Sequence, residues 1–453
     1  MILRYLLDYQ KLHFLKLLTS QQKLKVSVDT STTGAGKTIV AISLAKRLCM
    51  PMMVVCPAKL MTKWRKDLEY MKYRNFTIHS IDSLYSEKTG LVYVDDGEVK
   101  INYDNFPESQ TLLIIDECHM AKNMDSNRSE AVKLIAEATK YYDGHIHIMS
   151  ATITDKHEQF PYIFGILGIG ESLEEHYNFA KEIQKIINKP IPYFNEDDID
   201  LTYEYLLLYC FQFISSNMVF RTVHEDSKNL FCDMEYDDVE NINSVINKAR
   251  IFMKQSPRFQ EMTKYLHKIE SLKIPIFQRT AIKTLKQNKN NKVIIFLHYN
   301  DSISTLAKNM SKYNPLVLTG SVPSKKRDDL IEKFNQPNPK YRLLIANPQV
   351  GGTGYDLDDK DGNYPRTTFI SPSFNTTDDI QAIGRTCRAT TKSKSVIRFL
   401  YVKHCEMETR LRNSSRIKSK ILKEMSNNLH IKYPCDYTSI DEDGNVLSIN
   451  FDD

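Results

Sequence analysis

Two regions of the chain alternate short apolar runs with amphipathic stretches of helical period. In the first region, from about 24 to 152, buried strands are predicted at 26–28, 52–56, 112–115 and 145–149. In the second, from about 292 to 403, they are predicted at 293–297, 316–319, 343–346, 368–370 and 396–402. Strands that alternate with helices indicate parallel sheets with helical crossovers. The pattern therefore predicts an α/β protein with two parallel-sheet domains in tandem.

The residues between these regions have mainly helical periodicity and are rich in Tyr, Phe, Lys and Glu. We predict a first domain over 1–153, a mainly helical insert or linker over 154–290 and a second domain over 291–435. The remaining residues, 436–453, carry six acids and no base and predict an acidic tail that could form a hairpin.

Composition narrows the class of protein. Hydrophobic residues make up 42% of the 453 residues, which excludes a largely disordered chain. No apolar stretch approaches the ~18 residues that span a bilayer, and no secretion signal is recognisable. We therefore expect a cytoplasmic or nuclear protein that is neither secreted nor bound to a membrane. The eight cysteines form no CxxC pair, so no zinc module or disulfide framework is predicted.

The net charge of +5 argues little for a nucleic-acid partner, but its distribution is uneven. Residues 271–292 carry six Lys or Arg and residues 409–420 carry five, in both cases without an acid. Each run is either a solvated helix face or a surface for backbone phosphates.

The strongest local pattern is Ser-Thr-Thr-Gly-Ala-Gly-Lys-Thr at 31–38, between a predicted strand and a predicted helix. Small residues let the backbone curl so that its N–H groups face a polyphosphate, and the helix N-terminus adds its positive dipole end. Lys37 is expected to reach the β- and γ-phosphates, and the Thr38 hydroxyl to hold magnesium. Ser31 stands where the strict pattern has glycine.

Two acids follow the predicted strand at 112–115. Asp116 can hold magnesium, and Glu117 is placed to polarise the attacking water as a general base. Together with the glycine loop upstream, they predict a nucleotide-hydrolysing site that uses ATP and Mg²⁺.

The second region has no phosphate loop of its own but carries Gln381, Arg385 and Arg388 in a predicted helix. The two arginines are three residues apart, which places them on one helical face. We interpret them as arginine fingers that reach the triphosphate across a cleft.

In order and content these motifs resemble those of the superfamily 2 helicases and translocases, specifically the Swi/Snf-type branch, and most of all the compact helicases of phages and large DNA viruses. The segments that carry the resemblance are 9–10, 54–64, 116–123, 150–152, 220–221, 318–335, 351–357 and 381–388. The resemblance implies two RecA-like domains, closure on ATP and movement on nucleic acid, with DNA favoured over RNA and a monomer expected. Cys387 and Asp356 depart from residues common in that branch.

The resemblance also implies a role for each matching residue. Hydrolysis would be carried out by Lys37, Asp116, Glu117, Gln381, Arg385 and Arg388. Nucleotide would be bound by Gln10, Thr33, Gly34, Ala35, Gly36, Lys37, Thr38, Gly354 and Asp356, with Thr38 and Asp116 at the magnesium ion. Coupling to the track is assigned to Ser150, Ala151 and Thr152, and track contacts to Lys59, Lys63 and Thr353.

The predicted function is therefore an ATP-dependent DNA helicase or translocase that acts on duplex, forked or branched DNA in replication, recombination or repair. The alternative within this class is an RNA helicase or a transcription-associated ATPase. A scaffold that binds nucleotide without hydrolysing it is disfavoured because Glu117 and both arginines are present. A nuclease motor would need a metal site, and the faint candidate at 94–100 contains Asp96-Gly97, which predicts a hairpin instead.

Overall fold

The computed structural model describes residues 5–84, 90–121, 126–154, 159–191, 199–218, 225–232, 259–337, 340–351, 355–388, 390–402, 405–426 and 438–441. None of the helices in these segments is both long and apolar enough to cross a bilayer. The chain divides into two compact units. Among described residues, unit 1 comprises 5–218 with 420–426, and unit 2 comprises 225–419 with 438–441.

Unit 1 is built on a parallel sheet of six strands in the order β3-β2-β6-β7-β1-β8. The strands are β1 (Val26–Asp29), β2 (Met52–Cys56), β3 (Phe76–Ser80), β6 (Leu112–Asp116), β7 (His145–Met149) and β8 (Ser215–Ser216). Apolar side chains cover both faces of the sheet: Leu113 and Ile115 point into one core, and Ile114 points into the other. This is why β2 and β6 are continuous apolar runs rather than alternating ones.

Helices cover both faces of that sheet. They are α1 (Asp8–Leu24), α2 (Lys37–Leu48), α3 (Met61–Tyr70), α4 (Asn127–Tyr141), α5 (Phe160–Ile166), α6 (Leu173–Ile187) and α7 (Ile199–Ile214). On α3, Trp64 and Leu68 are buried, as their spacing on one helical face predicts.

A separate two-stranded hairpin joins β4 (Val92–Asp95) to β5 (Glu98–Ile101). Both turn residues, Asp96 and Gly97, have positive φ, which a two-residue turn of type I′ requires. The hairpin predicted from Asp96-Gly97 is confirmed: Asp96 lies in its turn, and Asp95 and Glu98 are the strand residues on either side of the turn.

Unit 2 contains a parallel sheet of seven strands in the order β11-β12-β10-β13-β14-β9-β15. The strands are β9 (Glu225–Cys232), β10 (Lys292–Phe296), β11 (Leu316–Leu318), β12 (Leu343–Ala346), β13 (Arg366–Ile370), β14 (Ser395–Val402) and β15 (Thr438–Asp441). Again the central strand serves two cores, since Val293 and Ile295 lie in one and Ile294 and Phe296 in the other.

The helices of unit 2 are α8 (Phe259–Leu272), α9 (Ile274–Gln287), α10 (Asn300–Asn309), α11 (Ser324–Asn335), α12 (Pro348–Gly351), α13 (Thr376–Thr386) and α14 (Glu406–Ser426), of which the part from Lys420 is grouped with unit 1. With both sheets parallel and layered by helices, the predicted α/β class with tandem RecA-like sheets is confirmed.

The predicted insert, 154–290, is not one body in the described part of the chain. Helices α5 to α7 belong to unit 1, whereas α8 and α9 belong to unit 2. The segment also contributes strands β8 and β9, one to each sheet. In the predicted tail, Thr438–Asp441 pairs in parallel with β9, and the other tail residues lie outside the described segments.

Candidate nucleotide-binding and hydrolysis site

The predicted phosphate loop lies between β1 and α2 and depends on two glycines. Gly34 and Gly36 have φ values of 81° and 91°, in the left-handed region that favours glycine. A Cβ atom on Gly36 would displace the amide end of the Gln10 side chain. Thr33 and Ala35 alternate with these glycines and are buried. The left-handed backbone at position 36 therefore favours glycine there.

Lys37 is the first residue of α2 and lies against the loop. Its Nζ donates to the backbone oxygen of Ser31 at 2.8 Å and to that of Thr32 at 3.2 Å. Thr38 follows in the first turn and is buried. The ammonium group, the Thr38 side chain and the positive end of the α2 dipole are thus held within one short stretch, as polyphosphate binding requires.

Tyr9 and Gln10, on α1, support the loop. The Tyr9 hydroxyl donates to the backbone oxygen of Ala35 at 3.1 Å, and Nε2 of Gln10 donates to the same oxygen at 3.0 Å. Oε1 of Gln10 accepts from the N–H of Leu7 at 2.9 Å. In this structure the Gln10 amide holds the loop in place, and its predicted contact with adenine stays a prediction.

Asp29 anchors the start of the loop, and the sequence analysis did not identify it. Its Oδ1 accepts from the N–H of Ser31 at 2.9 Å, and its Oδ2 lies 2.9 Å from Nε2 of His13. Burial raises the pKa of Asp29, but the nearby charges of His13 and Lys37 outweigh burial and hold that pKa below its ordinary value. An acid at the end of a short buried strand, directly before the glycine loop, is the signal that would have identified it.

Ser31 replaces the leading glycine of the motif and has a partner of its own. Its Oγ accepts from the N–H of Met218 at 2.8 Å, just beyond β8. The N–H of Thr30 donates to the backbone oxygen of Ser216 at 3.0 Å. The first residues of the loop are therefore bound to the edge strand β8 and the residues just beyond it. A glycine at position 31 could not accept the hydrogen bond from Met218, which explains the serine there.

Asp116 ends β6 and is buried beneath the protein surface. Its Oδ2 accepts a hydrogen bond from Nε1 of Trp64 at 2.9 Å. Burial and the neighbouring carboxylate of Glu117 raise the pKa of Asp116, while the Trp64 hydrogen bond and the charge of Lys37 partly oppose that rise. Lys37 is thus close enough to Asp116 for their charges to interact.

Glu117 follows with a left-handed backbone, φ 57°, and its N–H donates to the backbone oxygen of Met149 at 2.8 Å. Its Oε2 lies 3.2 Å from Nδ1 of His119 and accepts from Oγ of Ser150 at 3.4 Å. The same Ser150 hydroxyl lies 3.0 Å from His119 and accepts from the N–H of Thr152 at 3.1 Å. The predicted general base and the predicted coupling segment are therefore in direct contact.

Ala151 lies between Ser150 and Thr152 and is buried. Strands β6, β7 and β1 are adjacent and parallel, so the segments that follow them leave the same edge of the sheet. The fold thereby brings together the acids after β6, the coupling segment after β7 and the glycine loop after β1. The loop and the acids were predicted to form the nucleotide site, and the segment 150–152 was predicted to couple its state to the track.

Asp116 and Thr38 offer the oxygen ligands that Mg²⁺ prefers. The described residues contain no group of three or more His, Cys, Asp or Glu side chains able to hold a metal ion. Mg²⁺ in nucleotide sites commonly binds through one or two protein oxygens together with substrate phosphates.

In unit 2, Gln381 and Arg385 lie on α13 and are buried. Arg388 does not share their helix, because α13 ends at Thr386 and Cys387 is extended. Nη1 of Arg388 instead lies 2.6 Å from Oδ1 of Asp356, and its Nη2 donates to the backbone oxygen of Tyr355. The prediction that the two arginines share one helical face was wrong, since the helix terminates between them.

Asp356, predicted to face nucleotide, binds two cations of its own unit. Besides Arg388, Nζ of Lys360 lies 3.0 Å from its Oδ2. Its side chain is 39% exposed, so part of the carboxylate is accessible to solvent. Gly354, predicted beside it, and Thr353, predicted to contact the track, lie outside the described residues.

The other predicted nucleic-acid contacts differ in exposure. Lys59 and Lys63 are exposed on unit 1, at the turn before α3 and on α3 itself. Within the basic run 271–292, Lys273 and Lys292 are buried and hydrogen-bonded inside unit 2, which excludes them as surface contacts. The remaining cations of that run are exposed: Arg279, Lys283, Lys286 and Lys289.

In the second run, Arg412 is also buried, and its Nη2 donates to Oγ of Ser439 at 2.9 Å. Nζ of Lys418 donates to the backbone oxygen of Phe374. Both basic runs are therefore partly structural.

Two family models match the chain in the order of its two sheets. Residues 5–155 match the model described as type III restriction enzyme, res subunit, and residues 276–390 match the helicase conserved C-terminal domain. The first covers the glycine loop, the acids after β6 and the coupling segment. The second covers α13 and both arginines.

Curated relatives point the same way. The chain is 24% identical over 444 residues to a protein of Acanthamoeba polyphaga mimivirus that is provisionally named an ATP-dependent RNA helicase, in a match covering 90% of this chain and 81% of the relative. It is also 24% identical over 163 residues to the DNA repair and recombination protein RAD54 of Saccharomyces cerevisiae, covering 34% of this chain but 16% of RAD54.

Among solved structures, the Sulfolobus solfataricus SWI2/SNF2 ATPase core in complex with dsDNA aligns over 94% of both chains with 16% identity and a TM-score of 0.33. That likeness is too distant to bear on function. The two matched models and the helicase relatives identify the family. The chain belongs to the superfamily 2 helicases and translocases, has a relative among viral proteins, and is a nucleic-acid-dependent ATPase.

Proposed function

We propose that this protein is an ATP-dependent DNA helicase or translocase that moves on duplex, forked or branched DNA. The observation that carries the proposal is the arrangement in unit 1. The glycine loop with Lys37, the acids Asp116 and Glu117, and Ser150 follow three adjacent parallel strands. Replication, recombination or repair of DNA is the process in which such an activity would be used.

The loop would bind the triphosphate through its backbone N–H groups, and Lys37 would move from the Ser31 and Thr32 carbonyl groups to the β- and γ-phosphates. Bound Mg²⁺, held through Thr38 and Asp116, would supply neutralisation of the developing phosphate charge. Glu117 would take the proton of the attacking water, since it is the ionisable side chain next to Asp116 on the loop after β6.

Ser150 would link hydrolysis to movement. Its hydroxyl contacts both Glu117 and His119, and it also binds the backbone of Thr152. A change at the Glu117 carboxylate therefore alters hydrogen bonds of the segment after β7 directly. This short path gives the coupling segment a physical means to respond to nucleotide.

DNA is favoured as the track by similarity to RAD54, a DNA repair and recombination protein, and by the Swi/Snf-type order of motifs. The mimivirus relative, named after RNA helicases, supports the alternative. The exposed cations Lys59 and Lys63 suit contacts with backbone phosphates, which would make binding insensitive to sequence and sensitive to salt.

The test is steady-state ATP hydrolysis with a panel of single-stranded, duplex, forked and four-way DNA and matched RNA. We expect DNA to raise the rate severalfold, and we expect this stimulation to fall as salt is increased. Lys37→Ala should abolish hydrolysis because it removes the cation that binds the phosphates.

Lys23→Ala is the matched control, because Lys23 is an exposed lysine in the last turn of α1. It should hydrolyse ATP at the rate of the unaltered chain. Stimulation by RNA alone would favour the alternative function. Nucleotide binding with no turnover, whatever nucleic acid is added, would overturn the motor and favour a scaffold.

A further inference from the structure

Trp64 is the single tryptophan of the chain. Its position on an apolar face of α3 explains the packing of its ring but not the contact made by its indole nitrogen. The side chain is 1% exposed and packs in the core with Val54, Leu68 and Ile114. Its one polar atom, Nε1, does not face that core. It donates to Oδ2 of Asp116 at 2.9 Å.

The indole N–H can only donate, so its direction fixes where an acceptor must lie. Asp116 is the last residue of β6, and β6 pairs with β2, the strand that precedes α3 in the chain. The sheet therefore sets the Asp116 backbone while α3 sets the donor. Together, the sheet and α3 restrain rotation of the Asp116 carboxylate.

Packing alone does not require this contact. A phenylalanine would fill the apolar pocket but would leave the Asp116 carboxylate without the donor. The hydrogen bond is buried, which makes it stronger and more directional than one in water.

We propose that Trp64 is a positioning residue for the magnesium site: its indole N–H holds the Asp116 carboxylate in the orientation that receives Mg²⁺ with bound nucleotide. This inference rests on the proposed function. Since the chain has no other tryptophan, the intrinsic emission of the protein also reports on this carboxylate.

The experiment uses the full chain and a fluorescent ADP analogue, titrated at a series of Mg²⁺ concentrations and in EDTA. Trp64→Phe should bind the analogue in EDTA as the unaltered chain does. It should need about 10-fold more Mg²⁺ for half-maximal tightening of binding, the lower end of what losing a partner of a metal ligand costs. Met71→Leu, another buried residue beside α3, is the packing control and should leave the Mg²⁺ dependence unchanged.

An unchanged Mg²⁺ dependence in Trp64→Phe overturns the inference while leaving the proposed function intact. If Trp64→Phe does not fold, the emission of the unaltered chain decides. It should change when Mg²⁺ is added to the ADP complex, and constant emission overturns the inference. Failure of the unaltered chain to bind nucleotide at any Mg²⁺ concentration overturns the proposed function and this inference with it.

Discussion

At the residue scale, strands β1 and β7 beneath the site contain buried polar side chains. His147 lies in the middle of β7 and is fully buried, with Nδ1 2.8 Å from Oγ of Ser27 on β1. His145, two residues earlier, lies 2.9 Å from Oε1 of Gln21. These contacts fasten α1 and β1, the elements around the phosphate loop, to β7.

This network gives unit 1 a dependence on pH. Burial lowers the pKa of His147 from 6.5 to about 4, and burial also lowers that of His145 to about 4. Between these pH values the unfolded chain binds protons that the folded chain does not. The free energy of unfolding therefore rises with pH across this window, and stability is lost as pH falls from 6.5 towards 4.

We expect His147→Gln to flatten this dependence, because it removes a group that contributes on the order of 3 kcal/mol across the window. The measurement is urea unfolding at several pH values, followed by Trp64 emission, which reports unit 1 alone. His267→Gln, in unit 2, is the control and should keep the wild-type slope. An equally steep slope in His147→Gln would show that His147 does not titrate on unfolding.

A site residue could be predicted from the sequence where a motif of neighbouring residues identifies it. The glycine loop, Asp116, Glu117 and Ser150 are recognisable because contiguous residue types encode them. The contacts of Asp29 with His13, of Ser31 with Met218 and of Trp64 with Asp116 join segments distant in sequence. No local pattern specifies such pairs, and only the sheet order brings them together.

At the element scale, apolar runs predicted the central strands to within one or two residues, because both of their faces are buried. Strand β9 was missed: its residues, Glu225–Cys232, are mostly polar, and the segment was assigned to the helical insert. It nevertheless pairs with β14 on one side and β15 on the other. Backbone pairing with neighbouring strands formed it against the local preference.

A buried ion pair joins two segments of unit 2. Its lysine belongs to the basic run 271–292, which the charge pattern alone assigns to the surface. Lys273, between α8 and α9, pairs with Glu408 on α14, and each side chain is 2% exposed. Nζ of Lys273 also donates to the backbone oxygen of Leu400, and Oε2 of Glu408 accepts from the N–H of Val402. The pair thus fixes the junction of α8 and α9, and also α14, to the end of β14.

Glu408→Gln should destabilise unit 2 by about 3–5 kcal/mol, since it leaves the Lys273 charge buried without its counter-ion. Hydrogen exchange measures this locally, and protection should fall in α9 and β14. Asp301→Asn, which alters an exposed side chain 3.8 Å from His267, is the control and should cost less than ~1 kcal/mol. Equal protection in the two variants would mean that the buried pair is not a structural link.

At the scale of the whole molecule, the proposed reaction would use residues of both units. Unit 1 contains the loop, the acids and the coupling segment, and unit 2 contains Gln381 and Arg385, which are buried on α13. The sequence predicts that the arginines complete the site, because the second region has arginines but no glycine loop. Arg385 lies on the same helix as Gln381, so it is the arginine chosen to test the predicted arginine finger.

The most direct measurement is the rate of ATP hydrolysis by Arg385→Ala at saturating ATP and DNA, with ATP affinity measured separately. The account predicts a rate lower by about 10³–10⁵, because the guanidinium stabilises charge in the transition state, with little change in affinity. Arg47→Ala, which alters an exposed arginine in the last turn of α2 outside both basic runs, should match the unaltered chain. Hydrolysis by Arg385→Ala at the unaltered rate would contradict the prediction that Arg385 acts as an arginine finger.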